Sequence, residues 1–177
     1  MKYLSIIFPL FVIQLFSAYA STPQVLVTER GQILISQLQD WEIGKDMFGM
    51  PYIYFSPQIN GQRSNISFTS TGVETDLDLT TLGKNQETYK KMKLQWLESV
   101  SGKAVSFVPY KRWKNSLGHV VHQIGFEYLH EELSYVETSF YVDCRSKLIF
   151  SKSLRLKVNQ QHQNDFEKLI TDMDCGI

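Results

Sequence analysis

Apolar residues recur at every second position in three segments of the second half of the chain, residues 120–128, 136–144 and 148–158. Such alternation is typical of β-strands that have one buried face. The pairs Glu131-Glu132 and Arg145-Ser146 separate these segments and leave room only for tight turns. Because strands joined by short turns run antiparallel, the pattern predicts an antiparallel meander.

Apolar spacings of three and four residues predict one helix before this meander and one after it. The first helix runs from about Gln86 to Val100 and ends at Gly102, and the second runs from about Gln160 to Asp174. The apolar stripe of the first helix consists of Tyr89, Met92, Trp96 and Val100, widened by Leu94 and Leu97. The stripe of the second consists of Phe166, Leu169, Ile170 and Met173. Each stripe needs a surface to cover it, and the sheet supplies one.

The N-terminal region has a weaker pattern. Gln24–Thr28 and Gln32–Ile35 are each interpreted as a short strand. Trp41–Asp46, which contains Gly44, is interpreted as a turn or connection. Arg63–Ser70 alternates again and predicts a strand.

These elements add up to an α+β fold, an antiparallel sheet meander packed by two main helices. A further strand is predicted at Ala104–Val108, and Arg155 and Lys157 of the last strand are expected to face water. No repeat, low-complexity tract or linker divides residues 21–177, so we predict one globular domain there. The content of 43% apolar and 20% charged residues is that of an ordinary folded domain.

The first twenty residues have the pattern of a signal peptide. Lys2 precedes an almost wholly apolar run at residues 4–16, and Ala18-Tyr19-Ala20 offers a cleavage site that would leave Ser21 as the new N-terminus. The alternative is an uncleaved anchor, but the run is shorter than the roughly 20 residues of a membrane span. We therefore predict export to the periplasm or the medium, and a mature chain that does not span the membrane.

Two cysteines, Cys144 and Cys175, occur in the chain. In an oxidising compartment such a pair is interpreted as one disulfide, which here would fasten the last helix to the sheet. A catalytic or metal-binding cysteine is the alternative, but the chain has no CxxC spacing. The disulfide is the favoured interpretation.

The balanced charge argues against one class of partner. The 18 basic and 18 acidic residues give a net charge of zero, whereas nucleic-acid-binding proteins usually carry a large basic excess. We therefore expect no nucleic-acid partner.

A basic-aromatic stretch is the candidate binding site. It consists of Tyr110, Lys111, Arg112, Trp113 and Lys114. Three cations beside two rings can hold an anionic partner by charge while a ring stacks on it. The alternative, which is favoured, is an edge strand whose lysines discourage aggregation.

The other candidate chemistry is sparse. His122 shares a strand face with apolar residues and is interpreted as a hydrogen-bonded core residue, and His162 is expected at the surface. Alternate carboxylates at Glu74, Asp76 and Asp78 are interpreted as a solvated extended segment rather than a calcium site. No metal site, cofactor or catalytic residue is predicted, since GxSxG, HExxH, P-loop and GxGxxG motifs are missing from the sequence.

The order of these elements resembles the Mog1/PsbP-like fold, an α/β/α sandwich to which DcrB-type exported bacterial proteins also belong. The resemblance rests on an opening with Trp41, a strand carrying Asn65-Ile66-Ser67, a helix with Trp96, a long meander, and a last helix near Cys175. Proteins of this fold act mostly as binding or accessory modules. The resemblance therefore implies binding rather than catalysis, without naming a ligand.

Two classes of function follow. The first is an exported, non-enzymatic binding or accessory protein that contacts a protein or an anionic ligand, including a secreted, host-facing virulence factor. The second is a small exported hydrolase in which His122 or His119 meets a carboxylate of Asp143, Glu127 or Glu137. The first class is favoured because no motif supports the second.

Overall fold

The computed structural model describes residues 23–59, 61–72, 83, 85–144 and 147–176. The predicted signal peptide, the acidic segment with Glu74, Asp76 and Asp78, and the turn at Arg145-Ser146 lie outside these ranges. Within them, no helix is long and apolar enough to cross a membrane.

Nine strands and two helices make up the described part of the chain. The strands are β1 Gln24–Thr28, β2 Gly31–Ile35, β3 Glu42–Met47, β4 Met50–Phe55, β5 Asn65–Gly72, β6 Lys103–Lys114, β7 Val120–His130, β8 Leu133–Asp143 and β9 Lys147–Leu156. The helices are α1 Gln86–Ser99 and α2 Gln160–Thr171. Seven strands form one sheet in the order β3-β4-β5-β9-β8-β7-β6, with every neighbouring pair antiparallel, while β1 and β2 form a separate hairpin. The predicted α+β fold, meander and helices are confirmed.

The sheet separates two apolar layers because neighbouring residues of a strand point to opposite faces. On β7, Val121 joins the layer that contains α2 and the β1–β2 hairpin, including Phe166 and Ile33. Ile124 and Phe126 point the other way and pack beneath α1. The helices therefore lie on opposite faces, which we call the α1 face and the α2 face, and the predicted α/β/α sandwich is confirmed.

A disulfide ties α2 to the sheet, as the cysteine pair predicted. Cys144 follows β8 and Cys175 follows α2, and their Cα atoms are 5.7 Å apart. Next to it, Leu34 of β2 exchanges two backbone hydrogen bonds of 2.9 Å with Asp174. The C-terminal segment thus holds both the sheet and the N-terminal hairpin.

The interpretation of Trp41–Asp46 as a turn is wrong, because Glu42–Met47 is the edge strand β3. Most of its side chains are exposed, so it lacks the alternation by which a strand is recognised. Gly44 lies within this strand without breaking it. Glycine suits the position because the side chain of Met47 folds over the place where a Cβ would lie.

Two polar residues expected in water are buried on the α2 face. Arg155 donates to the backbone oxygens of Leu156 and Lys157 at 3.1 and 2.9 Å, so its guanidinium is satisfied where β9 meets α2. The Nδ1 atom of His162 lies 2.7 Å from Ser64 Oγ, and burial lowers the pKa of this histidine. The sequence alone does not show which part of the sheet α2 covers, so the burial of these two residues was not predictable from it.

Candidate functional site

Helix α1 covers only part of its sheet face. Its buried residues Tyr89 and Leu97 pack on Ile124, Phe126 and Tyr128 of β7. Farther along the same face, over β4, β5 and β9, a groove of about 370 Å³ opens between α1 and the β3–β4 hairpin. We call this space the sheet groove.

Apolar side chains make up most of the sheet groove. They are Phe48, Met50, Ile53, Phe55, Trp96 and Leu154. The polar lining residues are Asn65, Ser67, Tyr128, Glu137 and Lys152. An apolar concave surface with a few convergent polar groups is the usual form of a binding site.

The register of α1 differs from the predicted stripe and explains the apolar wall on that side. Tyr89 and Leu97 are buried, with Lys93 between them, whereas Met92 and Trp96 are 56% and 40% exposed. Lys93 faces the sheet because Glu137 lies beneath it. That rotation places Trp96 at the border of the sheet groove, where its half-exposed ring still packs edge-on against Phe126 and Tyr128 of the sheet.

One buried carboxylate faces two ammonium groups at the bottom of the sheet groove. The side chain of Glu137 is only 6% exposed; it contacts Lys93 Nζ directly and lies 3.8 Å from Lys152 Nζ. The ammonium group of Lys93 also lies 4.9 Å from the ring centroid of Phe126 and 5.9 Å from that of Trp96. These rings stabilise the buried cation. The cluster therefore carries one excess positive charge, and Lys152 is its more exposed member.

The hairpin tip that borders the sheet groove is strained. Phe48 has a φ of 54° and is 81% exposed, and Gly49 after it has a φ of 74°. A two-residue turn with two positive φ angles favours Asn-Gly, and a bulky residue in its first position costs about 1–2 kcal/mol. Strain of this kind, kept with an exposed aromatic ring, is a feature of binding surfaces.

The predicted basic-aromatic site lies on β6, the other edge strand. A shift in the β6–β7 register falls between Val108 and Lys111, and the rings of Tyr110 and Trp113 turn to opposite faces. On the α1 face Tyr110 bonds His122, and on the α2 face Trp113 Nε1 donates to Gln123 Oε1 at 3.2 Å. The cations Lys111, Arg112 and Lys114 are exposed. The structure thus brings the three cations together along one edge and places the two rings apart.

The histidines have specific partners. His122 is a hydrogen-bonded core residue as predicted: Nδ1 lies 2.7 Å from Tyr110 Oη, and burial together with the charge of Arg112 lowers its pKa. His119 Nε2 lies 3.4 Å from Asp174 Oδ1. His119 and Asp143 line a separate cavity of about 500 Å³ beside the disulfide.

The carboxylates named for a hydrolase are largely engaged with lysines. Glu127 accepts from Lys157 at 2.7 Å, which lowers the pKa of its carboxyl, and Glu137 lies between Lys93 and Lys152. Within the described ranges, no three His, Cys, Asp or Glu side chains are grouped as a metal site requires. Two observations favour the hydrolase hypothesis: His119 and Asp143 line a shared cavity, and the charge of Asp143 acts on His122, opposing the larger effect of burial on its pKa.

Solved structures with very different sequences share the architecture of this chain. No protein-family model matches the chain, and no curated protein sequence matches it. Cyanobacterial PsbP (CyanoP) from Synechocystis sp. PCC 6803 superposes with a TM-score of 0.62 at 12% identity, over 89% of this chain and 95% of that one. The chain has the Mog1/PsbP-like fold.

A second PsbP-like structure is LpqN, a protein involved in cell envelope biogenesis of Mycobacterium tuberculosis. It superposes with a TM-score of 0.56 at 12% identity, over 89% of this chain and 86% of that one. The PsbP-like likeness therefore extends over most of each chain. At this identity it concerns the fold alone, and the sheet groove has to be interpreted from this chain's own side chains.

Proposed function

We propose that this chain is an exported, non-enzymatic binding protein whose binding surface is the sheet groove. The observation that carries the proposal is the uncovered apolar part of the α1 face, bordered by the exposed rings of Phe48 and Trp96. Exposed apolar surface of this kind is costly in water and typically marks the place where a ligand or partner is bound. The exposed cations of β6 provide a second contact for an anionic partner.

Export is supported by three separate features. Residues 1–20 have the composition of a signal peptide, the Cys144–Cys175 bond suits an oxidising compartment, and LpqN, of the same fold, is involved in cell envelope biogenesis. We therefore place the protein in the envelope or the medium as an accessory factor. Fractionation followed by non-reducing intact mass tests this: we expect a chain that begins at Ser21 and is two hydrogens lighter than its reduced form. A full-length chain in the cytoplasm would contradict export.

Binding in the sheet groove is tested with Nile red, a neutral dye whose emission rises in apolar surroundings. We expect Phe48→Ala and Trp96→Ala each to weaken dye binding about tenfold, or about 1.4 kcal/mol, because each removes part of the apolar wall. Val158→Ala is the matched control, since Val158 is 83% exposed and does not line the groove. Equal dye binding by all four proteins would contradict the proposal.

The β6 cations are tested separately. Replacing Lys111, Arg112 and Lys114 together by Gln is expected to abolish retention on an anionic resin at low salt while leaving Nile red binding unchanged. Exposed charges make screened, salt-dependent contacts, so retention by the natural chain should fall as salt rises. The matched control replaces Lys45, Lys91 and Lys168, which are exposed and lie outside β6, by Gln. Equal retention of the two triple variants would remove β6 from the binding surface.

A further inference from the structure

We propose that the ligand of the sheet groove is a single-chain anionic amphiphile of the fatty-acid class, with its carboxylate beside Lys152 and its hydrocarbon chain directed toward the hairpin tip at Phe48. This inference rests on the proposed function and names the chemistry of the ligand. Three observations support it: the excess charge of the cluster around Glu137, the direction of the groove floor, and the width of that floor.

The first observation is charge. Glu137 and Lys152 line the groove, and Lys93 contacts Glu137 from α1 just behind that lining, so this three-residue cluster holds one cation more than it holds anions. Lys93 is enclosed by the rings of α1 and the sheet, whereas the side chain of Lys152 is 40% exposed. Lys152 can therefore meet a ligand anion without leaving the cluster. One excess charge on an otherwise apolar surface suits a ligand with one anionic end.

The second observation is direction. The floor consists of two rows of side chains that run across the strands. One row is Phe55, Asn65, Leu154 and Glu137, and the other is Ile53, Ser67 and Lys152. Backbone groups of the strands beneath are already paired within the sheet, so a ligand lying across them contacts side chains only.

This geometry disfavours a peptide strand. An extended peptide on the floor would find only the side chains of Asn65 and Ser67 to pair with its N–H and C=O groups, and burying the other groups unpaired costs several kcal/mol, whereas a hydrocarbon chain has no such groups. From Lys152 the second row crosses Ser67 on β5, whose hydroxyl donates to the backbone oxygen of Lys152, to Ile53 on β4, and Phe48 and Met50 continue the apolar surface at the hairpin. The anionic end and the apolar path therefore belong to one continuous trough.

The third observation is width. Residues two apart on a strand are separated by about 7 Å, so two rows make a floor about 7 Å wide. An α-helix with its side chains measures about 10–12 Å across, which is wider than this floor. A single hydrocarbon chain is the narrower object and fills such a trough.

The test is displacement of Nile red from the protein as an exporting host delivers it, stripped of bound lipid on a hydrophobic resin and checked by intact mass. The competitors are laurate, lauryl alcohol and lauryltrimethylammonium, each kept below its micelle-forming concentration. They share one chain length and carry head groups of negative, zero and positive charge. We expect laurate to displace the dye best and the cationic amphiphile least.

The variants locate the charge. Lys152→Met is expected to raise the dissociation constant of laurate about fivefold, as for a partly exposed ion pair, and to leave that of lauryl alcohol unchanged. Lys152→Arg should restore laurate binding because it keeps the cation. Lys157→Met is the matched control, since Lys157 also pairs with a glutamate but lies outside the sheet groove. Circular dichroism verifies that each variant is folded.

The outcomes separate the two proposals. If Nile red binds in the groove but laurate and its alcohol compete equally, or if Lys152→Met weakens both equally, the groove stands as a binding site and the anionic ligand is refuted. If Phe48→Ala and Trp96→Ala leave dye binding unchanged, both proposals fail. If a peptide of alternating leucine and glutamate displaces the dye where laurate does not, the partner is a protein and the fatty-acid class is wrong.

Discussion

The buried ion pair between Lys93 and Glu137 allows the sharpest test of the structure. We propose a double-mutant cycle with Lys93→Met and Glu137→Leu, made singly and together. Removing the lysine leaves a carboxylate that is 6% exposed and whose remaining ion-pair partner among the described residues is Lys152, at 3.8 Å. Removing the glutamate leaves the ammonium group of Lys93 among aromatic rings and 20% exposed.

The magnitudes follow from burial. Breaking a fully buried pair costs about 3–5 kcal/mol, and partial exposure of Lys93 together with the neighbouring Lys152 reduces each single loss of unfolding free energy to about 2–3 kcal/mol. Replacing both partners by apolar residues of similar volume is close to neutral, so we expect the double variant to lose about 1 kcal/mol. The coupling energy should therefore reach about 3–5 kcal/mol.

Urea unfolding followed by far-ultraviolet circular dichroism measures these free energies. Tryptophan fluorescence is unsuitable, because Trp96 lies beside Lys93 and would report a local change. The control cycle uses Lys157 and Glu127, a pair whose lysine is 57% exposed and whose coupling should stay below about 1 kcal/mol. Additive losses at Lys93 and Glu137, or equal couplings in both cycles, would refute the burial argument.

Three further predictions concern stability. Replacing Cys144 and Cys175 together by Ser should lower the unfolding free energy by about 3–4 kcal/mol, the chain-entropy value for this loop, and an unchanged urea midpoint would contradict it. Burial lowers the pKa of His162, so the unfolded chain binds a proton more readily than the folded chain. The unfolding free energy should therefore fall as the pH drops below about 6.5, by up to about 1.4 kcal/mol per pH unit. In urea titrations His162→Gln should flatten this pH dependence, and the control His130→Gln should not. Phe48→Asn should raise the unfolding free energy by about 1 kcal/mol, because asparagine adopts the positive φ of this position with less strain. The same change should weaken Nile red binding, because it removes a ring that lines the sheet groove. A lower unfolding free energy would show that Phe48 is not strained.

The fold was predictable from the sequence where burial is one-sided. Apolar and polar residues alternate along β7, β8 and β9 because the two faces of each strand bury different sets of residues. Helix α2, together with Met173 just after it, has an apolar stripe that is wholly buried, from Phe166 to Met173. The cysteine pair was predictable because few arrangements suit two cysteines in an exported chain. Strand β3 was missed because an exposed edge strand has no alternation to recognise.

The sheet groove was not predictable in the same way, since its lining comes from the β3–β4 hairpin, four further strands and α1. The apolar residues of α1 suggested that Trp96 faces the sheet. One signal was available: Tyr89, Lys93 and Leu97 are spaced by four, and Glu137 alternates with apolar residues on β8. A lysine can stand on the buried side of a helix, and a glutamate on the buried face of a strand, when the two pair with each other. Only the tertiary structure shows that Lys93 and Glu137 meet in this way.

The clamp between the N-terminal hairpin and the C-terminal segment has a consequence for the order in which the domain can form. The hairpin β1–β2 is synthesised before the strands of the main sheet, yet it is absent from that seven-stranded sheet and pairs through Leu34 with Asp174. Gly176 also approaches the backbone of Gln32 so closely that a Cβ there would collide with it. A nascent chain therefore lacks these closing contacts until Asp174 and Gly176 have left the ribosome. A ribosome-stalled chain that stops before Asp174 should remain protease-sensitive in its N-terminal hairpin.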